Sequence, residues 1–224
     1  MKKISQFIII AAAGMFVFVS CKKQSEYFVD GGGTHNPQVD VTTYDYLKSN
    51  PLFDSTILLI DRAGLKEAVN ATDATFFAPT DYSIAAWLTK IRGRILNTYG
   101  QDSARKLSLA TFSDAQLKDS LSQYIIPQRV QRENLALTDK EFSTAQQGDE
   151  KIVYLREVND YIGNVSTKPR YIYMVEVFGE RDVPGVVVPA AETDIEVLCQ
   201  TTGILTTNGV LHVLSNQHVF GFSK

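Results

Sequence analysis

Thr75-Phe76-Phe77-Ala78-Pro79-Thr80-Asp81-Tyr82-Ser83-Ile84 is the stretch on which the reading of this chain turns. Residues 75–78 are an apolar, aromatic run too short for a helix, which predicts a buried strand. Pro79 lacks an N–H and ends it. Thr80 or Asp81 is placed to cap the helix that follows. In that helix Ile84, Trp87, Leu88, Ile91, Ile95 and Tyr99 recur at helical spacing until Gly100.

Outward from this strand–helix junction, Asn50-Pro51 opens an upstream helix, with Asn as cap and Pro at the first position. Its apolar face is Leu52, Phe53, Thr56, Leu59, Ile60 and Ala63, and Gly64 closes it. A short helix over 65–69 follows. Downstream, Ser113 and Gln116 form a capping box for a helix with Leu117, Leu121 and Tyr124 on one face, stopped by Pro127. From Gln128 the texture changes to strands, expected at 151–156, 170–178, 185–188, 194–200, 203–207, 210–214 and 219–222. Asn208-Gly209 predicts a tight hairpin between two of them. Helices first and strands afterwards indicate an α+β fold.

The segment Asn208-Gly209-Val210-Leu211-His212-Val213-Leu214, taken with residues 75–84, resembles the two signature boxes of the fasciclin (FAS1) domain family. The turn Ala63-Gly64-Leu65 fits the same layout, and the resemblance covers most of residues 41–222. It implies a wedge-shaped β-sandwich or β-sheet core flanked by helices from the N-terminal half. The positions that carry it are Phe76, Phe77, Pro79 and Asp81 in the first box, and Asn208, Gly209 and His212 in the second. Their expected roles are structural. Phe76 and Phe77 place one ring on each strand face, Pro79 breaks the strand and Asp81 starts the helix. His212 alternates with Val210 and Leu214 and is expected to be a core histidine, hydrogen-bonded inside the fold. Animal members often carry a Tyr-His pair, linked to integrin adhesion, at the end of the middle helix. Here Tyr124 is followed by Ile125, so that element is incomplete. The region between the boxes is longer than usual for the family, which places inserts near 92–111 and 156–189.

The N-terminus speaks to location. Met1-Lys2-Lys3 precedes an apolar run, Ile4 to Val19, of 16 residues, and Phe18-Val19-Ser20 leads into Cys21. Such a run is short of the roughly 20 residues that span a bilayer and reads as a secretory signal. A cysteine at the cut resembles a bacterial lipoprotein signal, with residues 1–20 removed and Cys21 lipidated. Of the 224 residues 204 would remain, without Lys2 and Lys3, so the formal charge would move from −3 to −5. That balance argues against nucleic-acid binding. Residues 21–40, with Gly31-Gly32-Gly33, read as a flexible tether ahead of one domain over 41–224. With Cys21 lipidated, Cys199 has no intramolecular partner. It alternates with Ile195 and Val197 and is expected to be a buried small hydrophobe.

Catalytic patterns are absent from the sequence: no Gly-x-Ser-x-Gly elbow, no His-Glu-x-x-His and no phosphate loop. The histidines, His35, His212 and His218, form no metal-ligand spacing, and no cofactor or metal is expected. The acids Asp139, Glu141, Asp149 and Glu150 show no calcium-loop pattern. Lys90, Arg92, Arg94, Arg105 and Lys106 read as a solvated basic face, or one that meets lipid headgroups. Tyr154, Tyr161, Tyr171, Tyr173 and Phe178 crowd the second insert. Tyr171 and Tyr173 share a strand face and could offer rings to a sugar or peptide, or simply cover the sheet.

Two functions fit these readings. One is a lipid-anchored cell-envelope binding or adhesion module without catalysis, meeting a protein or glycan partner. The other is an accessory lipoprotein of an outer-membrane transporter complex for glycan or peptide uptake. The signal and the domain together resemble surface lipoproteins of Bacteroidetes. That implies a location at the bacterial outer membrane, exposed at the surface.

Overall fold

The computed structural model describes residues 37–157 and 168–223. The expected signal segment, Cys21, His35, most of the tether and Tyr161 lie outside the described residues. The chain divides after Pro37, and the compact unit Gln38–Lys224 carries the fold. No helix among the described residues is long and apolar enough to cross a membrane.

Helices dominate the first half: α1 (Thr43–Lys48), a 3-10 turn (Pro51–Phe53), α2 (Asp54–Ala63), α3 (Lys66–Val69), α4 (Asp81–Tyr99), α5 (Gln101–Arg105) and α6 (Asp114–Ser122). β1 (Thr75–Ala78) precedes α4. The later strands are β2 (Ile125–Ile126), β3 (Lys140–Ser143), β4 (Glu150–Glu157), β5 (Arg170–Glu176), β6 (Ile195–Leu205) and β7 (Val210–Leu214). They form one sheet in the order β2-β1-β7-β6-β5-β4-β3. Only β1 and β7 pair in parallel; the other neighbours are antiparallel. The two ends of the sheet nearly meet, because the Ala145 N–H, just past β3, donates to the Ile125 carbonyl of β2 at 2.8 Å. The fold is therefore α+β, with a mixed and nearly closed seven-stranded sheet and its helices drawn from the N-terminal half.

Local chemistry explains most element ends. Asn50 accepts from the Leu52 N–H at 3.0 Å and caps the 3-10 turn that leads into α2. Gly64 ends α2 in the left-handed conformation. Ser113 and Gln116 make their capping box, with bonds of 2.9 and 3.3 Å.

Several expectations are corrected. Gln38 and Val39, assigned to the tether, are joined to β6: Gln38 bridges Leu205 and the Val39 N–H donates to Leu205. Residues 185–188 form no strand, since a turn closed by the Val186 N–H on Val183 occupies that region. Residues 219–222 are not a strand either. Gly221 at φ 73° and Phe222 at φ 47° coil them into a 3-10 turn. The strands expected at 194–200 and 203–207 are one strand, β6, with irregular register between Cys199 and Ile204. The short strands β2 and β3 were not foreseen. α4 buries only its first turns: Ile84 and Trp87 are in the core, Ile95 is half-buried and Tyr99 is 73% exposed. Within the range 156–189, β5 sends Ile172 and Met174 into the core.

Candidate functional site

The residues of the two boxes are buried and mutually engaged. Phe76 and Phe77 are inaccessible, and as strand neighbours they point to opposite faces, so β1 is covered on both sides. Each such ring contributes on the order of 2–3 kcal/mol through burial. Phe77 stacks on His212, with ring centroids 4.9 Å apart. His212 Nδ1 accepts from the Gly203 N–H at 3.1 Å. Its proton is therefore on Nε2, which donates to the Val130 carbonyl at 2.9 Å. Gly203 adopts φ 74° in the irregular part of β6, and this aims its N–H at the ring. Burial lowers the His212 pKa to about 4, so the imidazole is neutral at pH 7.

Asp81 is the first residue of α4, as expected, but its carboxylate serves a different helix. The cap position of α4 is Thr80, whose hydroxyl donates to Asn216 rather than capping its own helix. Asp81 instead accepts from the Ser55 N–H at 2.8 Å and so caps the start of α2. Its pKa is raised, with burial the largest cause. Pro79 lends its carbonyl to the buried Thr56 hydroxyl at 2.7 Å, which ties the same two helices together.

Asn208 accepts from the Thr43 N–H at 2.9 Å and donates to the Val69 carbonyl, locking α1 and α3 to the β6–β7 turn. Neither Asn208 nor Gly209 has positive φ, so this is not the mirror-image turn that the dipeptide suggests. Gly209 is required for another reason: a Cβ there would sit 2.1 Å from the Ala74 carbonyl oxygen.

Two buried polar knots were invisible to sequence reasoning. Tyr124 is inaccessible; its hydroxyl accepts from the Gly221 N–H at 2.7 Å and meets His218 Nε2 at 2.7 Å. Beside it Lys151, 1% exposed, forms ion pairs with Asp149 and Glu176, and its ammonium lies 5.2 Å from the Phe222 ring centroid. A lysine in a strand reads as solvent-facing. The alternation with Val153 and Leu155, both in the core, is the signal that could have found it. Cys199 is 2% exposed, and burial raises its thiol pKa.

The outer face of β4–β6 is built differently. Ile152, Tyr154 and Val175 form a small second cluster, with Tyr173 packed against it. Tyr173 stacks on Tyr154 at 5.8 Å, and the Arg156 guanidinium lies 4.2 Å from its ring centroid. Burial pushes the Tyr154 phenol up to about 12, aided by the Glu196 carboxylate. Arg181 binds Asp139, Asp194 and Glu196 at 2.8, 2.7 and 2.7 Å. Asp194 and Asp182 each accept the other's backbone N–H, which closes the loop between β5 and β6 at its base. The clamp holds a tip on which Val183, Val186 and Val187 are 61, 61 and 97% exposed. Tyr171 is 42% exposed beside this network, whereas Tyr173 is largely covered by Arg156 and Tyr154. The expected Tyr171–Tyr173 pair thus reduces to one exposed ring. Within the basic stretch, Lys90 donates to the Ser223 carbonyl and Arg92 to that of Leu107. Among the described residues no three metal-capable side chains converge.

In this α+β domain the signature residues tie helices to sheet. The fasciclin domain family model matches residues 51–176, more than half of the chain, and the chain belongs to the fasciclin (FAS1) domain family. FAS1 domains are generally non-catalytic binding modules, and the family is associated with cell adhesion. The match ends at Glu176, ahead of the second box. Among solved structures the chain is similar to a FAS1 domain pair from the insect cell adhesion molecule fasciclin I, with 16% identity and a TM-score of 0.43. The similarity covers 78% of this chain and 46% of that one, so the chain spans less than half the length of that structure. No curated protein matches the sequence.

Proposed function

We propose that this chain is a lipid-anchored cell-envelope binding and adhesion module with no catalytic chemistry of its own. The observation that carries the reading is where its reactive groups are spent. His212, Cys199, Lys151 and Tyr124 are buried and committed to packing or internal bonds, while the outer sheet face and the β5–β6 loop present a braced, partly apolar surface. Braced loops are the usual carriers of binding function on a rigid scaffold. The anchor rests on Cys21 and the apolar run before it, and the tether holds the domain clear of an outer-membrane surface.

Affinity capture of the full chain from native membranes tests the binding reading. Specific recovery of an envelope or matrix component supports it; recovery of the chain alone removes its support. Recovery of a transporter together with its substrate-binding lipoprotein moves the assignment to the accessory role in uptake. Cys21→Ala tests the anchor separately: the variant is expected to lose membrane association, and a correctly cut, membrane-bound variant would refute lipidation at that residue.

A further inference from the structure

The β4–β5 ladder pairs Ile152 with Val175. One step outward along the same register, Lys151 and Glu176 stand opposite each other, and the Cβ atoms of such a pair are about 4.5–5.5 Å apart. Both lie on the core face: Lys151 alternates with Val153 and Leu155, and Glu176 with Met174 and Ile172. Lys151 Nζ meets Glu176 Oε2 at 2.5 Å and also contacts Asp149 Oδ1. The lysine side chain has no accessible surface, while those of Asp149 and Glu176 are 16 and 21% exposed.

The two carboxyl groups are held differently. Both oxygens of Asp149 are hydrogen-bonded, Oδ1 to Lys151 and Oδ2 to the Thr144 hydroxyl at 2.6 Å. Glu176 Oε2 is buried and makes no hydrogen bond among the described residues, although Nζ lies 2.5 Å away. The nitrogen thus touches the Glu176 carboxyl group without sharing a proton with it.

An aromatic wall closes the site. The Phe222 ring centroid lies 5.2 Å from Nζ, and Tyr124 stacks on that ring at 5.3 Å. Phe222 holds this place at φ 47°, a left-handed conformation that is costly for a bulky residue.

A cation and a carboxylate buried together carry a large desolvation cost. Condensing them removes both charges and leaves a neutral amide. Water opposes that reaction by hydrolysis, but a site that excludes water and holds the reacting groups in contact favours it.

We propose that Lys151 and Glu176 condense to an intramolecular isopeptide bond, a covalent staple between β4 and β5, with Asp149 as the proton carrier. Asp149 takes a proton from the ammonium, which leaves a neutral amine, and passes it to the Glu176 carboxylate. The Nζ lone pair attacks Glu176 Cδ, so an N–C bond forms and the carbon becomes tetrahedral. Asp149 then takes a second proton from that nitrogen and gives it to the departing hydroxyl. The C–O bond breaks and water leaves through the partly exposed carboxyl side of the site. One ammonium and one carboxylate become one amide and one water, Asp149 ends as it began, and no oxidant, reductant or cofactor takes part. Glu176 is the last residue of β5, so the staple fixes the root of the loop that Arg181 clamps. It goes beyond the binding-module reading and holds whether or not that surface has a partner.

Intact mass spectrometry and tryptic mapping of the full chain test it. The folded chain is expected to be one water lighter than the same chain with free side chains. Trypsin is expected to leave residues 141–156 joined to residues 171–181, because an acylated Lys151 is no longer a cleavage point. Chain isolated in urea from inclusion bodies is expected to have its full mass and to lose one water on refolding. Lys151→Arg keeps the cation but cannot condense, and is expected to stay at full mass. Asp149→Asn is expected to form the bond about 100-fold more slowly, since its proton carrier is gone. Full mass for the folded wild type would overturn the proposal. So would a water lost within residues 141–156 alone, which puts the bond on Asp149, or equal loss in urea, which removes the role of the buried site. An unchanged rate in Asp149→Asn would reject Asp149 as the carrier. The wild-type map decides the bond even where a variant does not fold.

Discussion

Strands β1 and β7 and strands β4 and β5 belong to one sheet but live in different surroundings. Every residue of β1 and β7 is buried, so both faces of those strands are interior. β4 and β5 are interior on one face only: Val153, Leu155, Ile172 and Met174 join the main core, while Tyr154 and Tyr173 lie under an arginine–carboxylate layer. The signature boxes fall on the first pair, and the member-specific chemistry gathers on the second. A position buried on both sides has no freedom to acquire a partner. One on a sheet face covered by long, partly exposed side chains has, because those side chains can be exchanged without opening the core.

The contrast can be broken most severely at the turn into β7. Gly209→Ala forces a Cβ against the Ala74 carbonyl and is expected to cost about 3 kcal/mol or more, read as a lower urea midpoint. A loss under about 1 kcal/mol would show that the turn yields easily and that the boxes are not rigid. Lys151→Met comes next. It leaves Asp149 and Glu176 as neighbouring carboxylates without their cation, and about 3 kcal/mol is expected, the low end for a broken buried pair because both acids keep some solvent contact. Replacing all three by apolar residues should restore most of that loss.

pH sharpens the same comparison. His212 has a folded pKa of about 4 and His218 of about 3, against an ordinary value of 6.5, with burial the leading cause for both. Between those limits the unfolded chain binds the extra proton, so stability falls as pH drops below 6.5. The slope approaches about 1.4 kcal/mol per pH unit for each histidine. Unfolding curves at pH 7, 6 and 5 should show the decline. His212→Gln should be less stable at pH 7 but lose one proton's worth of slope; an unchanged slope would mean that His212 is not held neutral.

Tyr124→Phe removes the hydroxyl shared by His218 and Gly221 and is expected to cost about 2 kcal/mol, since two buried groups lose a partner. Tyr171→Ala, on the outer face, should stay within about 0.5 kcal/mol. If it costs as much as Tyr124→Phe, the outer face is part of the stability core and the contrast between the two regions fails.

What was legible followed from short-range chemistry. The β1 strand, the Ser113–Gln116 box, the Gly64 cap and the buried status of Cys199 each depend on a few adjacent residues. The failures have one cause in common. Asp81 looks like the cap of its own helix, but packing sets it at the start of α2. Asn208-Gly209 looks like a turn chosen for its backbone angles, but the glycine answers to the carbonyl of Ala74, far away in sequence. Residues 219–222 have a strand's composition, yet the positive φ angles of Gly221 and Phe222 coil them into a 3-10 turn.

By itself the sequence determined the family, the α+β order of elements and which box residues would be interior, because apolar periodicity and turn chemistry are written locally. Tertiary structure alone decided that Lys151 is buried between two acids, that Arg156 covers Tyr173, and that Tyr124 meets His218. Those are meetings of residues tens of positions apart. Their energies depend on distance and on exclusion from water, which the order of residues along a chain does not contain.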